Sequence, residues 1–377
     1  MIAAMMRPAL LAALLSTSSL AVGVGCTSRA RPLDAPATSS SASAAAEPEP
    51  AAEPTPAIAP SRAVATLPTD PFAFVADADG IIPSAHVRLM PAVGDAPLVQ
   101  LVDPGAEPRS ELRYALTKNT KAALLMTMDF HLALRVADRD LPAVALPSMV
   151  MLLDVTTTAA NADEARVTSK LRQATTEART ESERKVDATL AEKLGRLTGM
   201  TTTYTVDRRG FIRDASLVLP PDVPPEMLDT ADQMRESFTS FAVPMPIEPV
   251  GLGAKWRVLK RMLAGGVDTV QLSTYTMSAL DGEDVVLDAE VAQFAVGRGV
   301  QNKAIEARLQ RYQATGDGTS RVRMSDPMST NARVSASSSV DMRVANQGQE
   351  IAMSVRATMA MTVAPNPKAP TRPKKRR

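Results

Sequence analysis

The chain has 377 residues, 42 Lys+Arg against 41 Asp+Glu, a 45% apolar content, one Cys, one Trp and two His. A single cysteine excludes a disulfide framework and a thiolate metal cage, and His86 with His131 alone would leave a zinc or iron site to carboxylates for most of its ligands. A near-neutral chain with 3% aromatic residues lacks the basic, aromatic-laced face of a nucleic-acid binder, so no metal, cofactor or nucleic acid is expected.

The N-terminus carries the strongest signal. Arg7 precedes an apolar run from Ala9 to Leu15, a small-residue step from Ser16 to Ser19, and then Leu20 to Gly25 before Cys26. The run is too short and too interrupted by hydroxyl residues for a permanent span of about 20 residues. Residues 1–25 therefore read as a secretory signal. Their end resembles the lipobox of bacterial lipoproteins, with Gly25 before an acylated cysteine, although Gly23 stands where that family prefers Leu or Val. Acyl chains on Cys26 would add about 0.8 kcal/mol per buried methylene, and several chains together hold a protein on a membrane. Thr27 occupies the position where Asp marks inner-membrane retention in many Gram-negative lipoproteins, which points to the outer membrane.

From Cys26 to Asp70 the chain holds eight Pro, many Ala and Ser, and no apolar periodicity. It reads as a disordered tether with an extended reach of up to about 130 Å at ~3.1 Å per residue. The globular body is placed at 71–364, and residues 365–377 form a basic tail in which the last ten residues carry six Lys or Arg and no acid.

Within the body, Leu124, Met126, Met128, Phe130, Leu132, Leu134 and Val136 alternate with residues such as Asp129, His131 and Arg135, which predicts a long strand with one dry face. Two amphipathic helices follow. The first, 181–197, has Val186, Leu190, Leu194 and Leu197 on one stripe and the pairs Glu181/Lys185 and Glu192/Arg196. The second, 225–241, has Met227, Ala231, Met234, Phe238 and Phe241, with Pro225 in its first turn and Pro244 beyond its end. Strands are then expected at 255–263, 267–279, 284–296, 333–345 and 350–363, joined by turns at Gly265-Gly266, Asp281-Gly282 and Asn346 to Gly348. The last repeats the first strand's alternation through Met353, Met359 and Met361. The expected fold is mainly β (α+β): a curved antiparallel meander with both helices on its apolar face. A seam near residue 222, dividing it into two lobes, is the alternative arrangement.

Three segments carry a resemblance: Glu111 to Leu116, Tyr204 to Ile212, and Pro244 to Trp256, the last containing Pro-Val-Gly-x-Gly-x-x-Trp. Over about residues 110–300 the chain resembles an uncharacterised family of envelope lipoproteins of Gram-negative, myxobacteria-like organisms. That family has no assigned activity, so the resemblance implies an envelope location and supplies no catalytic residues. Read physically, Gly251 and Gly253 bend the chain into the strand at Lys255, and Trp256 closes the core edge.

Chemistry-bearing motifs fail on spacing. There is no Gly-x-Ser-x-Gly elbow and no phosphate loop. Asp77-Ala78-Asp79-Gly80 resembles a calcium loop, but Val75 and His86 stand at its first and twelfth positions. Asp129 and His131 share a strand face as an acid and a base could, with no nucleophile assigned beside them. The body is therefore read as non-catalytic and lipid-anchored, acting by partner binding or envelope structure. One alternative is a carrier of a lipid or other apolar ligand on Met126, Met128, Phe130, Met353, Met359 and Met361, since Met surfaces adapt to varied ligands. The other is a hydrolase using exposed carboxylates.

Overall fold

The computed structural model describes residues 69–224, 242–301, 306–326, 328–346 and 349–366. A short helix, α1 (Ser84–Val87), precedes β1 (Leu98–Asp103), β2 (Lys121–Val136), the brief β3 (Arg139–Asp140) and β4 (Val144–Ala145), and then β5 (Ser148–Ala160) and β6 (Glu164–Glu177). Helix α2 (Glu181–Gly195) leads to β7 (Thr201–Asp207) and β8 (Ile212–Val218). Six longer strands complete the body: β9 (Lys255–Ala264), β10 (Val267–Asp281), β11 (Asp284–Val300), β12 (Ala307–Arg323), β13 (Asn331–Asn346) and β14 (Gln349–Pro365).

All fourteen strands belong to one sheet, in the order β1-β9-β10-β11-β12-β13-β14-β2-β5-β6-β7-β8, with β3 and β4 paired to β2. The expected meander is present in two runs, β5 to β8 and β9 to β14. What the sequence pattern does not reveal is how they join: β14 pairs antiparallel with β2, setting Pro365 opposite Leu124 and Met353 opposite Val136. Likewise β1 pairs with β9, Leu101 opposite Trp256. The two runs are thus hydrogen-bonded into one sheet and share one core, with residue 222 in the connection between them. Among the described residues no pairing joins the end strands β1 and β8, and the sheet stays open.

Helix α2 forms where the stripe predicts, and its start is fixed by a capping box. The Thr180 hydroxyl accepts from the Glu183 N–H at 3.2 Å, while the Glu183 carboxylate accepts from the Thr180 N–H. Arg196 pairs with Glu192 at 2.7 Å, whereas Glu181 pairs with Arg184 rather than with Lys185. Leu194 and Leu197 enter the main core. The expected helix at 225–241 lies outside the described residues.

The inward face of the sheet is dry and filled. Trp256, Tyr204, Tyr312, Phe130, Leu124 and Leu153 are its largest fully buried side chains. One polar thread runs through it: the Tyr312 hydroxyl donates to Gln293 Oε1 at 2.9 Å, Gln293 Nε2 to Gln271 Oε1 at 2.8 Å, and Gln271 Nε2 to Ser273 Oγ at 3.1 Å. Each of these amides is paired, which offsets the cost of burying it. A second, thinner layer covers the outward side of β9 to β11, where Ile82, Met90, Phe72 and Phe74 pack on Leu259, Val270, Leu272 and Phe294. Phe74 and Phe294 meet edge to face at 5.3 Å. The Asp77–Gly80 turn pins this layer: Tyr312 N–H donates to Asp79 O at 2.8 Å, and Arg298 pairs with Asp79 at 2.9 Å. The loop that resembles a calcium site therefore turns its carboxylates toward arginine.

Candidate functional site

The outward face of β12, β13, β14 and β2 is polar, and its side chains stand in register. One cross-strand row is Thr315, Ser337, Thr358 and His131; the next is Asp317, Ser335, Ala360 and Asp129. Together they line an open trough of about 420 Å³. Ser335, Ser337, Thr358 and Ala360 are the floor, and their small side chains leave the space that taller neighbours on β12 and β2 enclose. Asp129 and His131 stand on one wall, Thr315 and Asp317 on the other.

The two carboxylates are already engaged. Asp129 accepts from the Ser148 hydroxyl and pairs with Arg179 at 3.1 Å. Asp317 accepts from the Ser335 hydroxyl at 2.8 Å, and Thr315 shares a hydrogen bond with Ser337 at 3.3 Å. Asp129 and Asp317 sit three strand spacings apart, on the order of 14 Å along the sheet at ~4.8 Å per strand. Carboxylate pairs that cleave glycosides lie within roughly 5 to 9.5 Å. The trough thus holds hydroxyls that can both donate and accept, two oriented carboxylates and one imidazole, an arrangement equipped for hydrogen bonding. Sequence reasoning singled out Asp129 and His131 and missed the hydroxyl floor, which exists only because β14 pairs with β2.

Of the six residues of the candidate apolar face, Met359 also borders the trough, and the other five lie elsewhere. Met126, Met128, Phe130, Met359 and Met361 are at most 9% exposed and pack in the main core, while Met353 is partly buried against Leu132, Leu134 and Val355. Cys26 lies outside the described residues. Among the described residues, no three His, Cys, Asp or Glu side chains are grouped to hold a metal ion, and no helix is long and apolar enough to cross a membrane.

The three segments behind the family resemblance converge on one strap, Ala242 to Pro246. The Val243 N–H donates to the Tyr114 hydroxyl at 3.0 Å, and Trp256 Nε1 donates to Pro244 O at 3.0 Å. Arg209 holds Met245 O through Nε and Nη2, and Arg113 donates to Pro246 O at 2.9 Å and Ile247 O at 2.7 Å. Trp256 is fully buried and stacks on Tyr275 with ring centroids 5.7 Å apart. Gly251 lies so close to the 104–108 segment that a methyl there would meet Ala106 O at 1.8 Å, and Gly253 has φ +82°. The signature glycines and tryptophan therefore do structural work at the entry to β9.

No family model and no curated protein matches the chain. Solved structures with some likeness include the outer membrane protein OprG of Pseudomonas aeruginosa, at 6% identity over 66% of this chain and 97% of that one, with a TM-score of 0.17. An outer membrane channel of Pseudomonas putida F1 is similar at 8% identity, over 66% of this chain and 97% of its own, with a TM-score of 0.18. At such scores neither carries an argument about this chain.

Proposed function

We propose that the protein is a non-catalytic envelope protein, anchored by acylation of Cys26, held off the outer membrane by a tether over residues 26–70, and acting by binding a partner through its folded body. The observation that supports this reading is the sorting of polarity across the sheet. Its inward side chains are packed core, and its outward side on β12 and β13 carries exposed Arg308, Arg311, Asp317, Arg321, Arg333, Ser335 and Arg343. A membrane-spanning barrel has the reverse sorting, an apolar band outside and a polar lumen within. A body of this kind belongs in water, and its attachment to a membrane is left to the segment before it.

The separation of Asp129 from Asp317, and the arginine already on Asp129, support binding over hydrolysis. An apolar ligand on Met126, Met128, Phe130, Met359 and Met361 would have to displace packed side chains, which favours the outward surface as the working one. The anchor is tested by replacing Cys26 with Ser in cells labelled with a fatty-acid analogue. Loss of label and release of the protein from the membrane fraction are expected; continued acylation with unchanged retention would overturn the reading.

A further inference from the structure

We propose that the trough across β12, β13, β14 and β2 binds a neutral polyhydroxylated chain, a glycan strand lying along β13 and β14. The inference rests on the reading of the body as a binding protein and names the partner of that surface. Four observations converge on this ligand class. Ala336, Met359 and Ala360 contribute apolar atoms to the lining beside Ser335, Ser337 and Thr358, but the apolar area exposed in so shallow a trough is small, so burial would drive lipid uptake weakly. Asp129 is charge-paired with Arg179 and accepts from Ser148, while Asp317 accepts from the neutral Ser335 hydroxyl, so the trough presents one uncompensated carboxylate, not the two or more that would hold a metal ion. Arg356 and Arg333 stand one row beyond its two ends, offsetting the acids further. What remains is a set of hydroxyls, carboxylate oxygens and an imidazole, and a sugar hydroxyl, which donates and accepts at once, can pair with every one of them.

The dimensions agree. Walls on β12 and β2 stand three strand spacings apart, on the order of 14 Å between backbones, which leaves room for an extended chain between them. A polymer longer than the trough would meet Arg356 and Arg333 beyond its two ends.

The chain's two histidines make the test direct, because imidazole 13C labelling yields two signals, His131 on the trough wall and His86 within α1. The full-length protein in detergent is titrated with chitotetraose, cellotetraose and dextran. A saturable shift of the His131 signal with at least one of them, His86 unmoved, is expected. Ser337→Trp, which fills the floor from an exposed position, should weaken that binding by at least about tenfold while circular dichroism stays unchanged. No His131 shift with any of the three at about 10 mM would overturn the proposal, since that bounds the affinity above millimolar. So would a shift that persists in Ser337→Trp, or one produced by calcium or trilysine and not by the glycans. Chromatography of the incubated glycan separates this proposal from the reading beneath it. Intact chains are expected; cleavage that disappears in Asp129→Asn or Asp317→Asn would keep the site and overturn the non-catalytic reading.

Discussion

Tyr114 shows how one hydroxyl can hold a segment in place. It is buried, and that burial pushes its phenol well above the ordinary range, so it stays protonated at any physiological pH while its oxygen accepts from Val243 N–H. Tyr114→Phe removes that acceptor and leaves a buried amide without a partner, a loss of about 1 to 3 kcal/mol. The expected readout is a lower urea midpoint at unchanged slope, because the change removes a bond without altering the surface exposed on unfolding. Asp284 illustrates a charge of opposite pH sense. Arg323 donates to both of its oxygens, at 2.7 and 3.0 Å, and with Arg321 holds its carboxyl below the ordinary carboxylate range. A carboxylate depressed in the folded state stabilises above its unfolded pKa, near 3.9, and that contribution is lost as pH falls through the folded value. Arg323 is half exposed, so solvent screening limits the pair to about 1 kcal/mol. Thermal unfolding should therefore find Asp284→Asn less stable than the parent at neutral pH, with the gap narrowing as pH falls below the ordinary carboxylate range; a gap that does not narrow in acid would mean the loss is one of packing.

At the scale of elements, what was legible in the sequence was whatever one strand or helix decides alone. The alternation at 124–136 and 350–363 appears as β2 and β14, and the helix expected at 181–197 appears as α2, ending two residues earlier at Gly195. No strand is expected over 307–323, and the Gly316-Asp317-Gly318 triplet within it has turn-forming composition, yet β12 runs straight through it. Methyl groups on those glycines would come within 2.9 Å of Ser335 O and 2.7 Å of Arg333 O, so a close approach to β13 demands glycine where local propensity argues for a break. The facing of β10 was equally hidden, since its inward positions include Thr269, Gln271 and Ser273 while outward Val270 and Leu272 are covered by the N-terminal layer. Of the polar trough residues only Asp129 and His131 were visible in the sequence, and the rest could not be grouped with them, because grouping needs the β14–β2 register. The Gly251-Leu252-Gly253 turn was legible as a bend and gives a graded prediction. Gly253→Ala places a side chain at positive φ in open space and should cost about 1 to 2 kcal/mol. Gly251→Ala must push the Ala106 carbonyl aside and should cost more, above about 2 kcal/mol. Calorimetry of the two variants in parallel checks the order, and a reversal would place the strain elsewhere.

The whole molecule is bound together by a strand that comes last. β14 pairs with β13 along its length and with β2 along most of it, so removing residues 349–377 would strip hydrogen bonding from two neighbours at once. That truncation should abolish cooperative unfolding, and a chain that still melts sharply would mean the two runs of strands stand independently. A further consequence concerns time. During synthesis or any passage that delivers the N-terminus first, β2 waits with one unpaired, apolar-faced edge until nearly the entire body has followed it. Contacts so distant along the chain close slowly and leave intermediates open to aggregation. A holding factor that masks the β2 edge in nascent or transported chains would accordingly raise the yield of folded protein, whereas one acting after β14 has docked would arrive too late.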